Sequence, residues 1–338
     1  MKKLLALVLV FMLAVSSTAL AAEFKDMPND WSTAALTAAV ENGLLSGNDG
    51  YLLPSDNMTR AEMATIMARA CGATAQADIS EFSDVKADDW FYSSVAKAVA
   101  MKAFAGADGK FNPDNPITRQ EAFLVLSRVF GLAKISKPDV KILDTFKDGA
   151  KVDDWAREGV ATIISMGYVA GNDGYLNPLD NISRAEFAVV MDRLIKYYVD
   201  DSAEAIPTDG NVMIRAKGID LAGLTTDKMV VIGDGAGAVD FDFKDVAMNG
   251  SVIVRGGKTV TATGHITNVA VIMPNITLSA DTKVFNSIYV GSGSTYNIPT
   301  ILLPEGVDLE GAEAAEDSTE ATETADAATE DTAADSEK

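Results

Sequence analysis

The chain has 338 residues, a single cysteine, a single histidine, and 49 Asp and Glu against 28 Lys and Arg, for a net charge of −21. That acidity excludes a nucleic-acid binder, which needs a basic footprint. One cysteine excludes an intrachain disulfide, so the fold must be held by its core, and the chain is long enough to build more than one.

Residues 1–21 carry Lys2 and Lys3, an apolar run from Leu4 to Val15, and Ala19-Leu20-Ala21 as a small-x-small cleavage signature. This reads as an export signal, and its apolar run is too short for a comfortable membrane span. No later stretch is long and apolar enough to cross a bilayer. Neither a lipid-attachment cysteine after the signal nor a hydrophobic C-terminal sorting segment is present. An exported chain of this kind needs another way to stay at the surface.

From Phe24 to Tyr198 the sequence repeats itself three times, over residues 22–72, 80–132 and 144–199. Thr59-Arg60-Ala61-Glu62 returns as Thr118-Arg119-Gln120-Glu121 and as Ser183-Arg184-Ala185-Glu186. Each is followed by an apolar helical pattern, so the hydroxyl residue reads as an N-cap and the Glu as its reciprocal partner. The Arg is not explained by helix building, because a cation in the first turn opposes the macrodipole at a cost of ~0.3–1 kcal/mol. An Arg beside unpaired helix N–H groups is a place for an anion. Its alternative is a salt bridge to a neighbouring repeat's carboxylate, which at a surface is worth little.

The other markers keep step. Trp31, Trp90 and Trp155 each stand 29 residues before the Arg and follow Asp30, Asp89 and Asp154, which are expected to cap a first helix. Gly47, Gly106 and Gly171, then Gly50, Gly109 and Gly174, then Pro54, Pro113 and Pro178 fill the loop to the second helix, and Phe24-x-Asp26, Phe82-x-Asp84 and Phe146-x-Asp148 lie upstream. The first helices are expected over Ala34–Asn42, Val95–Lys102 and Val160–Ser165. Residues 73–79 and 133–144 read as connectors.

In these motifs the region resembles the S-layer homology domain, which commonly occurs as three tandem units. The resemblance implies an all-α, three-pronged spindle whose inter-repeat grooves bind secondary cell wall polysaccharide, often pyruvylated. It places Arg60, Arg119 and Arg184 at those grooves. A pyruvyl ketal presents a carboxylate, which an Arg meets with a two-pronged hydrogen bond worth roughly 1.5–3 kcal/mol. The three Trp rings suit the apolar face of a sugar, or act as packing knobs. Gly47, Gly106 and Gly171 allow close approach of a ligand, or only supply a tight turn. Repeat 2 departs, with Lys102 where the others have Gly43 and Gly167, Ala107 for Asn48 and Asn172, and Gln120 for Ala61 and Ala185. Its groove is the one whose equivalence is in question. Cys71, just before Gly72, reads as a small buried apolar residue.

Residues 200–210 form a polar linker, and residues 211–303 are rich in Val, Ile, Thr and Gly, which is strand composition. Val252, Val269 and Ile288 begin three-residue apolar runs spaced by 17 and 19 residues; Thr259, Ile276 and Thr295 head a second series with those spacings, and Asn249, Asn268 and Asn286 recur. This favours an all-β module built as a β-solenoid, with a β-sandwich as the alternative. Residues 304–338 are expected to be a disordered acidic tail: 311–338 hold ten acids and one Lys, −9 of the total −21.

The expected function is non-enzymatic anchoring, with no cofactor or metal. A surface polysaccharide-degrading enzyme is the competing class, for which Asp240, Asp242, Asp245, Arg255 and Lys258 are the candidate groups; the one histidine of the region, His265, has no paired motif with metal spacing. Self-association of the β module through its open ends, as in a surface lattice, is a third reading.

Overall fold

The computed structural model describes residues 24–305 and 307–315. The export signal at 1–21 lies outside them, as does the tail from 316. Among the described residues no helix is long and apolar enough to cross a membrane.

Each repeat is a pair of helices: α1 (Thr33–Glu41) with α2 (Arg60–Ala70), α3 (Tyr92–Ala100) with α4 (Arg119–Val129), and α6 (Arg157–Ser165) with α7 (Arg184–Leu194). A four-residue helix, α5 (Leu132–Ile135), follows α4. The capping boxes form at Thr59/Glu62, Thr118/Glu121 and Ser183/Glu186. The first helices differ from expectation. Their N-caps are Ser32, Phe91 and Ala156, without a side-chain cap bond. Asp30 instead accepts from the N–H and hydroxyl of Ser32, and Asp89 from the N–H of Lys86, so these carboxylates close the turn before the helix.

The repeats interlock in a ring. On the axis the backbone N–H of Met58 donates to Ile182, that of Ile182 to Ile117, and that of Ile117 to Met58, at 2.9–3.0 Å, all three residues being fully buried. The first two amides of each motif helix are taken by the next repeat: Arg60 and Ala61 donate to Asn115 and Pro113, Arg119 and Gln120 to Asp180 and Pro178, Arg184 and Ala185 to Asp56 and Pro54. The expectation of unpaired N–H groups waiting for an anion is therefore wrong. Those helix ends are capped by protein carbonyls, because each N-terminus is driven into the loop of its neighbour.

The β region is a solenoid. Its strands are β1 (Tyr197–Val199), β2 (Val212–Ile214), β3 (Thr225–Thr226), β4 (Val230–Ile232), β5 (Phe241–Val254), β6 (Thr259–Val271), β7 (Thr277–Ser279), β8 (Phe285–Val290), β9 (Thr295–Asn297) and β10 (Glu313–Ala314). Every pairing between them is parallel, which a sandwich of antiparallel hairpins cannot give. One ladder runs Tyr197, Val212, Val230, Val252, Val269, Ile288, stacking the apolar triplets in register. In the second series Thr259 stacks on Thr277, not Ile276, and Thr277 on Thr295. The solenoid also begins and ends outside its expected bounds. β1 precedes the polar stretch from 200, which is a loop between the first two rungs, and β10 pairs with β9 within what reads as tail. Strands of two or three residues are too short to stand out in composition.

Spindle and solenoid share a seam. In each triplet the outer residues, such as Val252 and Val254, fill the solenoid, while the middle ones (Met213, Val231, Ile253, Ala270, Tyr289) join the helical core. This is why the triplets are apolar throughout instead of alternating. At the seam the buried Arg255 donates to Asp234 at 2.7 Å, to the carbonyl of Val129 at 2.6 Å and to that of Met101 at 3.3 Å. Beside it, Gly235 N–H donates to the carbonyl of buried Cys71, whose thiol is pushed up to about 12 by burial.

Candidate functional site

The motif arginines reach across the ring. Arg184 of repeat 3 donates from Nε to the Leu52 carbonyl at 3.0 Å, from Nη2 to the Ser46 carbonyl at 3.0 Å and from Nη1 to Glu62 at 2.7 Å, all in repeat 1. Arg119 likewise meets the Leu176 carbonyl at 2.8 Å and Glu186 at 2.7 Å in repeat 3. Arg60 meets the Phe111 carbonyl at 3.0 Å in repeat 2 but makes no ion pair among the described residues. Its guanidinium lies 5.5 and 5.1 Å from the rings of Phe104 and Phe111, where the other repeats have Leu45 and Leu52 or Val169 and Leu176. Burial lowers the Arg60 pKa, with Glu121 and Asp84 working against that fall. Cross-repeat ion pairs, the alternative to ligand contact, are thus formed by two arginines of three. In repeats 1 and 3 the capping-box Glu does double duty: one oxygen caps its own helix and the other holds the neighbour's Arg.

The upstream aspartates hold the loops that receive these arginines. Asp26 accepts from the amides of Leu52 and Leu53, Asp84 from Phe111 and Asn112, and Asp148 from Leu176 and Asn177. Burial would raise the carboxyls of Asp26 and Asp84, yet the paired amides outweigh it and lower both. The Phe two residues earlier explains the loop glycine. A Cβ on Gly47 would stand 2.2 Å from Phe24, one on Gly106 2.3 Å from Phe82, and one on Gly171 2.8 Å from Phe146. These glycines are where the Phe ring packs; Gly171 also lines a cleft.

Two clefts open on the ring, each drawn from all three repeats. The first, about 120 Å³, has Trp90 of repeat 2, Arg184 of repeat 3, and Ser46, Glu62 and Arg69 of repeat 1. The second, about 410 Å³, has Trp31, Arg119, Gly171, Asn172, Glu186 and Arg193 in the same roles. The three Trp side chains are 64%, 67% and 52% exposed, more than a packing knob would be. Arg69, Arg128 and Arg193 are the residues that sequence reasoning missed. Each stands nine residues after the motif Arg, a spacing kept in every repeat. Arg69 and Arg193 are exposed and each spends one N–H on a carbonyl, that of Leu44 or Tyr168, at 3.3 Å.

In repeat 2, Lys102 takes φ +57°, the left-handed conformation that Gly43 and Gly167 adopt in its place. Gln120 pairs with Asp153 through two hydrogen bonds of 2.7 and 3.0 Å. Of the candidate catalytic groups of the β region, Arg255 is set apart from the rest. Arg255 is sealed in the seam, while Asp240, Asp242, Asp245 and Lys258 lie on the solvent side of the solenoid.

A spindle of three interlocked helical pairs, with arginines handed from repeat to repeat, defines a protein built on a tandem domain. The S-layer homology domain matches residues 23–64, 81–123 and 145–188, and the helical part of the chain consists of three such domains. Among similar proteins, the surface-layer 125 kDa protein of Lysinibacillus sphaericus is 32% identical over 191 residues, 54% of this chain and 16% of its own length. The cellulosome-anchoring protein of Acetivibrio thermocellus is 31% identical over 155 residues, 44% of this chain and 34% of its own. An amylopullulanase of Thermoanaerobacterium thermosulfurigenes is 27% identical over 175 residues, 51% of this chain and 9% of its own. The chain spans well under two thirds of these relatives, which are a surface-layer protein, a cellulosome-anchoring protein and an amylopullulanase.

Proposed function

We propose that this chain is a cell-surface, wall-associated protein that anchors itself non-covalently by holding an anionic, carboxylate-bearing cell-wall polysaccharide in the clefts of its spindle. The observation that carries the reading is the coincidence, twice over, of an exposed Trp, a motif Arg and a second exposed Arg on the walls of one cleft. The division of labour follows from the bonds. Arg119 and Arg184 are largely committed to Glu186 and Glu62, so each contributes its remaining N–H groups and a fixed wall. Arg69 and Arg193 bring the charge still available for a ligand carboxylate, such as that of a pyruvyl ketal, and Trp90 and Trp31 offer a face for the sugar ring.

The protein's long-range field opposes any polyanion, so retention depends on fit within the clefts more than on steering. Two clefts engaging one polymer multiply modest affinities through effective concentration. A non-enzymatic role is supported by the burial of Arg255, which parts it from the exposed acidic groups of the solenoid. The test is retention on purified walls before and after mild acid has removed pyruvyl ketals. Retention should fall on stripped walls and in the Arg69→Ala/Arg193→Ala double variant; full retention in both cases overturns the reading.

A further inference from the structure

Each motif helix ends against the solenoid, and each of those ends is met by a solenoid side chain. Arg215 donates to the carbonyl of Arg69 in α2 at 3.0 Å, Arg255 to that of Val129 in α4 at 2.6 Å, and Asn211 to that of Leu194 in α7 at 2.9 Å. The last carbonyls of a helix have no partner within it, and a side-chain donor placed there fixes the final turn. The Arg69 carbonyl also accepts from the N–H of Gly72, so Arg215 is its second donor. Three helices from three repeats thus take C-terminal caps from one body.

Two of these caps stand behind the clefts, because Arg69 and Arg193 occupy the last turns of α2 and α7. Asn211 reaches further than its helix. Its Nδ2 also donates to the hydroxyl of Tyr168 at 3.0 Å, while its Oδ1 accepts from the N–H of Met229 at 2.9 Å within the solenoid. Tyr168 opens the loop whose Val169, Ala170, Gly171 and Asn172 wall the second cleft, and its carbonyl is the one that Arg193 meets at 3.3 Å. One solenoid amide therefore ties together the two segments of repeat 3, loop and helix end, that shape this cleft around Arg193. Repeats 1 and 2 have Leu44 and Ala103 in place of Tyr168 and lack that hydroxyl. Behind the first cleft the hold is on the helix alone, through an Arg215 paired with Asp200 and lying 4.7 Å from the Tyr198 ring centre.

We propose that the solenoid is a working part of the anchor, with Asn211 and Arg215 as positioning residues that hold Arg193 and Arg69 in place for wall polymer. This rests on the anchoring reading above and adds that the affinity of the clefts depends on the docked solenoid. Asn211 acts on the second cleft and Arg215 on the first, so each is linked to one arginine and independent of the other.

The test is a pair of double-variant cycles in the full chain, read as the half-saturating concentration for binding to purified walls well below each variant's Tm. Asn211→Asp keeps an acceptor for Met229 and loses the donor to Leu194 and Tyr168. It should weaken binding by about 3- to 10-fold, the range of one or two neutral hydrogen bonds. That loss should shrink to less than about twofold in the Arg193→Ala background and persist in the Arg69→Ala background. Arg215→Met should show the opposite dependence. General loss of stability weakens binding alike in both backgrounds, and that result, or no weakening in the otherwise unchanged chain, overturns the proposal. Should Asn211→Asp not fold, Tyr168→Phe removes only the hydroxyl and carries the same cycle, with an expected weakening of about 2- to 5-fold. If Arg69→Ala and Arg193→Ala leave binding unchanged, the anchoring reading falls and this inference with it. If they weaken binding and the cycles show no coupling, this inference alone falls.

Discussion

Replacing Arg184 by Ala should cost stability before it costs binding. The side chain is 9% exposed, and its loss strands Glu62, whose side chain is 27% exposed, together with the carbonyls of Leu52 and Ser46. Breaking a buried pair from one side costs ~3–5 kcal/mol; the partial exposure of Glu62 argues for the lower end, and the two abandoned carbonyls for something above it. For a body of this size each kcal/mol is worth ~2–4 °C, so Tm should fall by about 6–20 °C. Arg69→Ala removes an exposed side chain with one carbonyl contact and should change stability by no more than ~0.5 kcal/mol, while weakening wall retention. The assay is thermal unfolding by circular dichroism alongside retention on purified walls well below either Tm. An unchanged Tm in Arg184→Ala would refute the clamp. Full retention in Arg69→Ala would refute the assignment of charge within the cleft. Loss of wall binding in a motif-Arg variant, taken without the melting curve, does not separate these roles.

Lys102→Gly should stabilise the protein by about 0.5–1 kcal/mol: a left-handed L-residue costs ~1–2 kcal/mol and the added chain entropy of Gly returns ~0.5–1 of it. Chemical denaturation would show the gain as a higher midpoint at unchanged m-value, and a lower midpoint would contradict the strain. Arg255→Met leaves Asp234 unpaired in the seam, so calorimetry should resolve separate spindle and solenoid transitions, whereas Arg255→Met/Asp234→Asn should recover much of the joint melting. The Cys71 thiol, raised from 9.0 to about 12, should resist alkylation in the native state at pH 9 and react on unfolding. Because the unfolded thiol ionises first, its contribution to stability is present below pH 9.0 and is lost as pH rises toward about 12, a slope that Cys71→Ala should remove.

Periodicity along the chain determined a good deal by itself. Fixed spacing identified three helical repeats, the capping boxes at Thr59, Thr118 and Ser183, and the stacked triplets of a solenoid, because each depends on residues near in sequence or on one unit repeated. The same spacing held Arg69, Arg128 and Arg193 in plain view, but a cation late in a helix also suits the macrodipole and so did not stand out. What only the tertiary structure decided is what the repeats do to one another. That helix N-termini are filled by a neighbour's Pro, Asn and Asp carbonyls, that Glu62 and Glu186 cap one helix and hold the Arg of another, and that Asp26 braces the loop receiving Arg184 are arrangements that exist only once the repeats have closed on one another. The seam is of the same kind. Val231, Ile253 and Ala270 look like any strand interior, and only the docked helices show that their middle position faces outward. Local pattern reports which face is apolar; which partner covers that face is set by how the assembled pieces close.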